Sequence, residues 1–324
     1  MKAVVFGGTG FIGSHVAEQL VRAGHEVTAV VRPTSKTAFL ESLKIPVLKA
    51  DFSDADHLAR LIQGHEVVYN CTANVKFHLS MEDHRAVEVH LTRRLVEAAA
   101  KAGARRFVQL STIKVYGCDL PATPVDEAYP CRPDFPFEKV SLEREQVVRD
   151  VAARTGLDYA ILRPAGTIGS RDTSFFSFLY KSHVGGGFPM IGGGTARISL
   201  VDTRDIGRAM VWLGTLPEAR GEVYLLRGFE ASWMDLKEAI DRVRGVTAKV
   251  RRLPPGLAMG LARFFEWVTP YGGSPWLTRL AVRSMTANAL FDDSKIRRAG
   301  FATIHDSLEE TLSNAIADLE GRKN

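Results

Sequence analysis

Residues 4–13 read Val4-Val5-Phe6-Gly7-Gly8-Thr9-Gly10-Phe11-Ile12-Gly13, an apolar run that breaks into a glycine-rich turn. The apolar residues before the turn are typical of a buried strand. After the turn, apolar residues recur with the spacing of a helix face, at Ile12, Val16, Leu20 and Ala23. The stretch therefore predicts a strand, a tight turn and a helix in direct succession.

Three glycines have separate roles in a turn of this kind. Gly7 lets the chain turn sharply, Gly10 lets the backbone approach a pyrophosphate, and Gly13 lets the helix pack closely on the strand. The unpaired N–H groups and the dipole at the start of the helix favour a bound anion. We therefore predict that a dinucleotide binds at Gly7, Thr9, Gly10, Phe11, Ile12 and Gly13.

The composition is that of an ordinary globular protein: 324 residues, 45% hydrophobic, 24% charged, with a formal net charge of +5. No basic stripe with interleaved aromatic residues indicates a nucleic-acid partner. The three cysteines lack metal-ligand spacing, so we expect no metal site and a reducing compartment. No apolar run approaches the ~20 residues of a spanning helix, and none resembles a signal peptide. We expect a cytoplasmic protein, either a monomer or a homodimer.

Strand patterns alternate with helix patterns over residues 1–165. This alternation predicts an α/β fold with a Rossmann-type, doubly wound parallel sheet. We place the dinucleotide-binding core at residues 1–165 and expect residues of about 200–230 to complete it. Residues 166–199 and 231–324 are then expected to form a smaller C-terminal substrate lobe, woven from these later segments.

Residues 166–194 combine several phenylalanines with two glycine triplets, which favours a long irregular loop of the kind that binds ligands. We expect an apolar or aromatic substrate, with a pocket lined by Phe175, Phe176, Phe178, Phe188 and Met190. A helix at residues 255–268 would cover this pocket. Ordinary core packing is the alternative for these residues, and a peripheral membrane or protein partner is the alternative role of residues 255–280.

Together with the glycine-rich turn, further stretches resemble the extended short-chain dehydrogenase/reductase family, and the likeness covers most of the chain. They are Ala50–Asp54, Leu110–Gly117, Leu162–Ala165 with Gly169, Ser199–Asp205, and Phe291-Asp292 with Lys295 and Ala299-Gly300-Phe301. The last is similar to the tail of 3β-hydroxysteroid dehydrogenase-like and dihydroflavonol reductase-like members of the NAD-dependent epimerase/dehydratase-like branch. The resemblance implies a Rossmann fold, a nicotinamide dinucleotide and oxidoreductase chemistry.

The catalytic centre implied by this resemblance is a Ser or Thr followed by Tyr-x-x-x-Lys on a helix. Thr112 fits the first position and would orient the substrate, although a hydroxyl that caps a strand end is an equally good interpretation. The family register places Phe137 at the tyrosine position and Ser141 at the lysine position. Phe137 has no proton to transfer and Ser141 has no charge, so the usual proton path is missing.

Two functions of different classes remain open. One is an atypical NAD(P)(H)-dependent oxidoreductase with another proton donor, and the other is a non-catalytic dinucleotide-binding redox sensor, assembly factor or accessory subunit. The nearest candidate donors are Tyr116, Lys114, Glu138, Lys139, Tyr180 and His183. Each also has a structural interpretation: Tyr116 as a packing residue, Glu138 and Lys139 as a solvated helix face, and Tyr180 and His183 as lining or surface residues of the loop.

The remaining cofactor contacts are predicted at the strand ends. Asp51 and Phe52 would border the adenine, Thr72 and Ala73 would lie near the ribose or nicotinamide, and the resemblance adds Pro164. An NAD site typically carries an acid at the end of the second strand, where it binds the ribose 2′-hydroxyl. Here the second strand ends in Arg32. A guanidinium suits a 2′-phosphate. We therefore expect NADP, with NAD as the alternative.

Asp202 and Asp205 are predicted to be structural. Asp202 stands where a helix N-cap belongs and Asp205 follows three residues later, a spacing that resembles a capping box. The sequence does not name the small-molecule substrate.

Overall fold

The computed structural model describes residues 1–74, 78–173 and 175–322. Its strands are β1 (Lys2–Phe6), β2 (Glu26–Val31), β3 (Val47–Lys49), β4 (Val67–Asn70), β5 (Arg106–Leu110), β6 (Asp158–Pro164), β7 (Gly166–Ile168), β8 (Gly187–Ile191), β9 (Arg197–Asp202), β10 (Glu222–Leu226), β11 (Phe229–Ser232) and β12 (Lys249–Leu253). Its α-helices are α1 (Phe11–Arg22), α2 (Ala38–Ser42), α3 (Ala55–Ile62), α4 (Met81–His84), α5 (His90–Lys101), α6 (Pro136–Thr155), α7 (Phe175–Val184), α8 (Thr203–Thr215), α9 (Trp233–Arg244), α10 (Pro255–Val268), α11 (Arg279–Thr286), α12 (Ser294–Arg298) and α13 (Leu308–Gly321).

The main sheet is parallel and has seven strands in the order β10-β6-β5-β4-β1-β2-β3. The strand order reverses between β1 and β4, and in such a sheet ligands bind in the crevice beyond the carboxyl ends of the strands at this point. The expected doubly wound α/β fold is confirmed. The later strand β10 forms one edge of this sheet, beside β6.

The two faces of the sheet are covered by different helices, because each central strand is apolar on both sides. Ala3 and Val5 of β1 pack in a cluster with Val16 of α1 and Met210 of α8. Their neighbours Val4 and Phe6 belong to the opposite cluster, which includes side chains of α3, α5 and α6. The sheet is therefore fully buried between two helical layers, as a dinucleotide-binding core requires.

A second lobe is built from a three-stranded sheet, β11-β9-β7, and a two-stranded pair, β12-β8. Its core joins side chains of α7, α9, α10, α11 and α13 around Phe176, Phe188 and Trp233. Local signals define its helices: Ser232 and Asp235 form a capping box at the start of α9, and Gly245 ends that helix in a left-handed conformation.

The expectation of a long irregular loop at residues 166–194 is wrong. This segment contains β7, α7 and β8, and Ser174 lies outside the described residues. The apolar residues Phe176, Leu179 and Tyr180 have helical spacing and are buried, as are Phe188 and Met190 of β8. The loop prediction relied on the two glycine triplets and did not use this helical spacing. The triplets mark only the turn before β8 and the turn after it.

Candidate functional site

The turn between β1 and α1 depends on its glycines. Gly7 has a φ of +80°, and a Cβ atom there would lie 2.6 Å from the backbone carbonyl carbon of Cys71. A Cβ at Gly13 would lie 2.8 Å from the carbonyl carbon of Gly7. At Gly10 the only heavy atom of the described residues within 4 Å of such a Cβ, outside its chain neighbours, is the Gly7 oxygen at 3.2 Å. Gly7 and Gly13 therefore maintain the turn, while the space beside Gly10 is open.

The N-terminus of α1 suits an anion. No side chain caps it, and its first turn carries no acidic residue. By contrast, Asp54 caps α3, Asp202 caps α8 and Ser232 caps α9. The positive end of the α1 dipole therefore meets no protein oxygen from a capping side chain, and the exposed residues Thr9 and Gly10 lie beside it. These features fit the pyrophosphate of a dinucleotide.

The residues predicted to hold the adenosine half lie at the ends of β2 and β3. Arg32 is exposed and has no ion pair or side-chain hydrogen bond within the described part of the chain. The Asp51 carboxylate accepts hydrogen bonds from the backbone N–H and the hydroxyl of Ser53, and these bonds lower its pKa. The Phe52 ring packs edge-on against Phe6, with 5.8 Å between ring centroids. These positions border the crevice, but their nucleotide contacts remain predictions.

A buried polar network lies at the end of β4. The N–H and the hydroxyl of Thr72 both donate to Oδ1 of Asn70, at 3.1 and 2.7 Å. The Arg144 guanidinium donates to the Thr72 carbonyl oxygen at 2.6 Å and to Glu88 Oε2 at 2.7 Å. Ala73, by contrast, is exposed. The network fixes the backbone where the ribose or nicotinamide is expected.

Arg144 was missed by the sequence analysis, although the sequence contains a signal for it. It follows Phe137 by seven residues and Ser141 by three, so the three share one face of α6. A cation is thus present on the face where the family carries its lysine. Its guanidinium is buried against Glu88 and donates to the backbone of Thr72.

Thr112 follows β5, and its hydroxyl caps the 3₁₀ turn that comes next, whereas its role in orienting a substrate stays a prediction. Its Oγ1 accepts a hydrogen bond of 3.2 Å from the backbone N–H of Lys114, which caps a short 3₁₀ turn at Ile113–Tyr116. Thr112 also lines a cavity of about 320 Å³, which we name the inner cavity. It therefore both caps the turn and faces a space that a substrate can occupy.

The inner cavity lies between the ends of β5 and β6 and the second lobe, and its lining is mainly apolar. The lining residues include Thr112, Lys114, Phe137, Ala165, Ile168, Phe175, Phe176, Leu200, Trp233, Leu280, Ser284 and Met285. Among the described residues, Lys114 is the only ionisable side chain in this lining, and its Nζ donates to Ser284 Oγ at 2.7 Å. Of the predicted pocket residues, Phe175 and Phe176 line the inner cavity, whereas Phe188 and Met190 belong to the lobe core and Phe178 is exposed.

Phe137 and Ser141 lie in the first turns of α6. Phe137 lines the inner cavity together with Thr112. Ser141 is buried, and its hydroxyl donates to the Phe137 carbonyl oxygen at 2.8 Å. Phe137 therefore faces the inner cavity, while its correspondence to the family's catalytic tyrosine stays a prediction.

The remaining acid candidates do not line the inner cavity. Tyr116 is a packing residue, as expected: it is buried, Arg163 donates to its hydroxyl oxygen at 2.7 Å, and burial raises its pKa to about 12. The interpretation of Glu138 as solvated is wrong, because its buried carboxylate accepts from the backbone N–H groups of Asp134 and Phe135. Lys139 is exposed, as expected.

Tyr180 and His183 are neither surface residues nor lining residues of the inner cavity. Both are buried in the second lobe. The Tyr180 hydroxyl donates to Glu320, and His183 Nε2 lies 2.6 Å from Asp241 Oδ1. Their polar groups therefore hold α7 to α13 and α9.

Asp202 and Asp205 both have structural contacts, but not those of a capping box. Asp202 is the N-cap of α8 and accepts from the Arg204 N–H at 2.8 Å. Asp205 instead accepts from the backbone N–H groups of Ile304 and His305, the latter at 2.8 Å. The capping-box interpretation of Asp205 is wrong, since its carboxylate holds the segment before α13 to the core.

Relatives of known name match most of the chain. A putative dihydroflavonol 4-reductase from Synechocystis is 26% identical over 96% of this chain and 92% of its own. The sterol demethylase protein B of Methylococcus capsulatus is 26% identical over 98% of both chains. The photosystem II assembly factor Ycf39 of Synechocystis is 24% identical over 82% of this chain and 76% of its own.

Solved structures show the same fold. The UDP-glucuronic acid 4-epimerase from Bacillus cereus in complex with NAD superposes with a TM-score of 0.82 at 22% identity, over 100% of both chains. The model of the family described as NAD dependent epimerase/dehydratase matches residues 3–226. This match confirms the resemblance found in the sequence: the chain belongs to the NAD-dependent epimerase/dehydratase family, within the extended short-chain dehydrogenases/reductases.

Proposed function

We propose that the protein is an atypical NADPH-dependent reductase that acts on an apolar or aromatic ketone. The observation that carries the proposal is the inner cavity, an apolar space of about 320 Å³ bordered by Thr112, Lys114 and Phe137. A cavity of this kind beside a dinucleotide site suits an apolar substrate held by few polar contacts.

The chain's own residues supply the cofactor site. The glycine turn and the N-terminus of α1 would hold the pyrophosphate, and a bound nicotinamide would supply the hydride. Arg32 supports NADP over NAD, because it is exposed, has no partner among the described residues and stands where an NAD site carries an acid.

The lining of the inner cavity argues for an apolar substrate and against a sugar nucleotide. Its polar groups in the described residues are hydroxyls, the Trp233 indole N–H and one lysine, without an acid or an arginine. A diphosphate and a hydroxyl-rich sugar would leave many polar groups unpaired there, at a cost of about 1–3 kcal/mol each. The names of two relatives, a putative dihydroflavonol reductase and a sterol demethylase protein, also indicate ring systems of low polarity.

Lys114 is the proposed proton donor. When the carbonyl carbon accepts a hydride, the oxygen gains a negative charge and needs a proton. Thr112 would orient that oxygen, and the Lys114 ammonium would transfer a proton from Nζ to it, becoming a neutral amine that is protonated again from solvent. Lys114 is the only ionisable side chain in the described lining, and Phe137 cannot perform this step.

The test is NADPH consumption with a panel of ketones of increasing size, from acetophenone to polycyclic ketones. Lys114→Met should lower kcat by about 10²–10⁴-fold, the contribution of a positioned general acid. Lys139→Met is the matched control, since Lys139 is exposed on α6 and should leave kcat unchanged. Full activity of Lys114→Met, with its fold intact by circular dichroism, would exclude this role.

A second candidate function is a non-catalytic dinucleotide-binding assembly factor. Two points favour it: the register counted in the sequence assigns Phe137 and Ser141 to the positions of the catalytic pair, and one relative is named as a photosystem II assembly factor. NADPH binding by calorimetry without turnover on any ketone or alcohol would support this function in place of the reductase.

A further inference from the structure

The outer side of α10 carries large apolar residues that nothing in the described structure covers. Ala258 and Ala262 point into the lobe core, whereas Leu257, Phe264 and Val268 are exposed. The exposed surface continues through Trp267, Tyr271 and Trp276, whose exposed fractions are 82%, 69% and 66%. We name this surface the aromatic face: Leu257, Phe264, Trp267, Val268, Tyr271 and Trp276.

The aromatic face is one patch and not a set of scattered residues. The rings of Phe264 and Trp267 are 6.4 Å apart, and Trp276 packs on Phe265 at 5.5 Å, measured between ring centroids. Tryptophan is seldom left in water, because its ring removes more apolar area from solvent on burial than any other side chain. An exposed apolar patch of this extent indicates an interaction surface.

The charge around the aromatic face is strongly positive. Residues 246–287 contain six lysines and arginines and a single acid, Glu266, so their formal charge of +5 equals that of the whole chain. Glu266 is paired with Arg279. Arg252 and Arg263 are exposed and form no ion pair among the described residues. The face therefore combines aromatic rings with uncompensated cations, which complements an anionic surface.

A second cavity lies beside this face and shares part of its lining with the inner cavity. This outer cavity has a volume of about 360 Å³. Its lining includes Arg263 and two residues of the aromatic face, Trp267 and Tyr271. It shares Phe137, Thr278 and Leu280 with the inner cavity. The outer cavity and the inner cavity therefore adjoin at these three residues.

We propose that the aromatic face docks on the surface of an anionic lipid bilayer, and that the two cavities take an apolar substrate from it. The docking stands on the face alone, while the uptake of substrate rests on the proposed reductase function. Tryptophan and tyrosine suit the headgroup level of a bilayer, and arginines attract anionic lipids. In the described residues no helix is long and apolar enough to cross a membrane, so the contact is with the surface.

A bilayer fits this face better than a second copy of the chain. A symmetric dimer through the face would bring together Arg252 and Arg263 of both copies, which form no ion pair among the described residues, and like charges at an interface oppose association. An anionic bilayer instead brings the opposite charge to Arg252 and Arg263, and its acyl region accepts the apolar side chains.

The experiment is co-sedimentation of the full chain with vesicles of phosphatidylcholine alone or with 30% phosphatidylglycerol. We expect binding to the anionic vesicles that weakens with added salt, and little binding to the neutral ones. Arg252→Gln/Arg263→Gln should weaken the binding about 30-fold, from two charges near the surface. Arg60→Gln/Arg220→Gln, two exposed arginines elsewhere, is the matched control and should bind like wild type.

The aromatic contribution has its own matched pair. Phe264→Ala/Trp276→Ala should weaken vesicle binding at least tenfold, whereas Phe178→Ala should not, although Phe178 and Phe264 are similarly exposed, at 49% and 52%. Tryptophan emission of the wild type should shift to the blue with anionic vesicles. Phe264→Ala/Trp276→Ala and Phe178→Ala must both keep the melting temperature of the wild type. If the double variant melts lower, Phe264→Ala alone replaces it.

Three results would overturn the docking proposal: no binding to anionic vesicles, unchanged binding of Phe264→Ala/Trp276→Ala, or a dimer seen by light scattering that Phe264→Ala/Trp276→Ala abolishes. Vesicle binding needs neither NADPH nor a ketone, so the two proposals fail separately. A protein that binds vesicles but turns over no ketone retains the docking surface and loses the reductase function.

Discussion

At the scale of single residues, the proposed preference for NADPH depends on Arg32 at the carboxyl end of β2. The exposed Arg32 would donate two parallel hydrogen bonds to a 2′-phosphate, which NADPH has and NADH lacks. Arg32→Ala should therefore weaken NADPH at least tenfold and NADH by less than twofold, as measured by fluorescence titration. Lys36→Ala, three residues beyond Pro33 on the same exposed segment, measures how far the loss of any nearby positive charge weakens the binding of either cofactor. An equal loss for both cofactors would contradict the assignment.

A second residue-scale prediction concerns pH. Burial lowers the pKa of His15 from 6.5 to about 4, and the nearby Arg171 guanidinium acts in the same direction. Between pH 4 and 6.5 the unfolded chain therefore binds more protons than the folded protein. The contribution of the neutral ring to the free energy of unfolding is complete above pH 6.5. It falls by about 3 kcal/mol as the pH is lowered to about 4.

The measurement is the free energy of unfolding in urea from pH 4 to 7. His15→Gln should flatten its rise with pH relative to wild type, while His90→Gln, an exposed histidine at the start of α5, should not. Carboxylates contribute to the same slope in all three proteins, so only the difference from wild type tests His15. Identical slopes for wild type and His15→Gln would show that burial does not keep this ring neutral.

At the scale of elements, local signals predicted most of the fold. The glycine turn, the apolar strands and the cap at Asp202 each depend on neighbours in sequence, so their patterns can be recognised in the sequence. The contacts of Asp205 and Arg144 are different, because their partners lie 99 and 72 residues away at Ile304 and Thr72. Spacing alone cannot reveal a partner that only the tertiary fold brings near.

The segment connecting β7 to β8 also shows what sequence patterns alone could not predict. Its glycines are real turn signals, yet the helix between them was missed because a run of aromatic residues looks apolar all round. Only the packing against α9 and α13 distinguishes the buried Phe176 from the exposed Phe178. The inner cavity likewise needs residues from β5, α7, α9 and α11 together, so its shape could not be predicted from the sequence.

The attachment of α6 to the end of β4 gives a prediction at this scale. Arg144 and Glu88 form a buried ion pair at 2.7 Å, and Arg144 also donates to the Thr72 carbonyl oxygen. Arg144→Met would leave the Glu88 carboxylate buried without its partner, which should cost about 3–5 kcal/mol of unfolding free energy. The double variant Glu88→Gln/Arg144→Met removes both charges and should recover part of that loss.

Urea unfolding of the two single variants and the double variant closes a double-mutant cycle. The interaction energy should be clearly favourable, since the two side chains touch. Arg85→Met with Glu143→Gln is the matched control, because that pair is also formed at 2.7 Å but lies at the surface; it should give about 0–1 kcal/mol. Strict additivity at Arg144 and Glu88 would mean that the pair contributes nothing to the attachment of α6.

At the scale of the whole molecule, the cofactor site and the inner cavity come from two lobes that share a chain. The main sheet supplies the glycine turn and Thr112, while α7, α9 and α11 supply the apolar lining. The C-terminal residues return to the core, where Asp205 holds Ile304 and Lys295 donates to the Val223 carbonyl oxygen. Because the lobes are connected in this way, a ligand that binds the core should stabilise the protein as a unit.

The last prediction follows from that connection and separates binding from catalysis. NADPH at about 100 times its dissociation constant should add about 2.7 kcal/mol to the unfolding free energy and raise the melting temperature by about 4 °C. Gly10→Val should abolish this rise, because the valine side chain would occupy the open space at the start of α1. The fold should tolerate the valine, because the φ of −83° and ψ of 173° at Gly10 suit a β-branched residue. Gly10→Ala, with a smaller side chain, should retain part of the rise. The melting temperature without NADPH should stay within a few degrees of wild type for both variants, and a full rise in Gly10→Val would place the dinucleotide elsewhere.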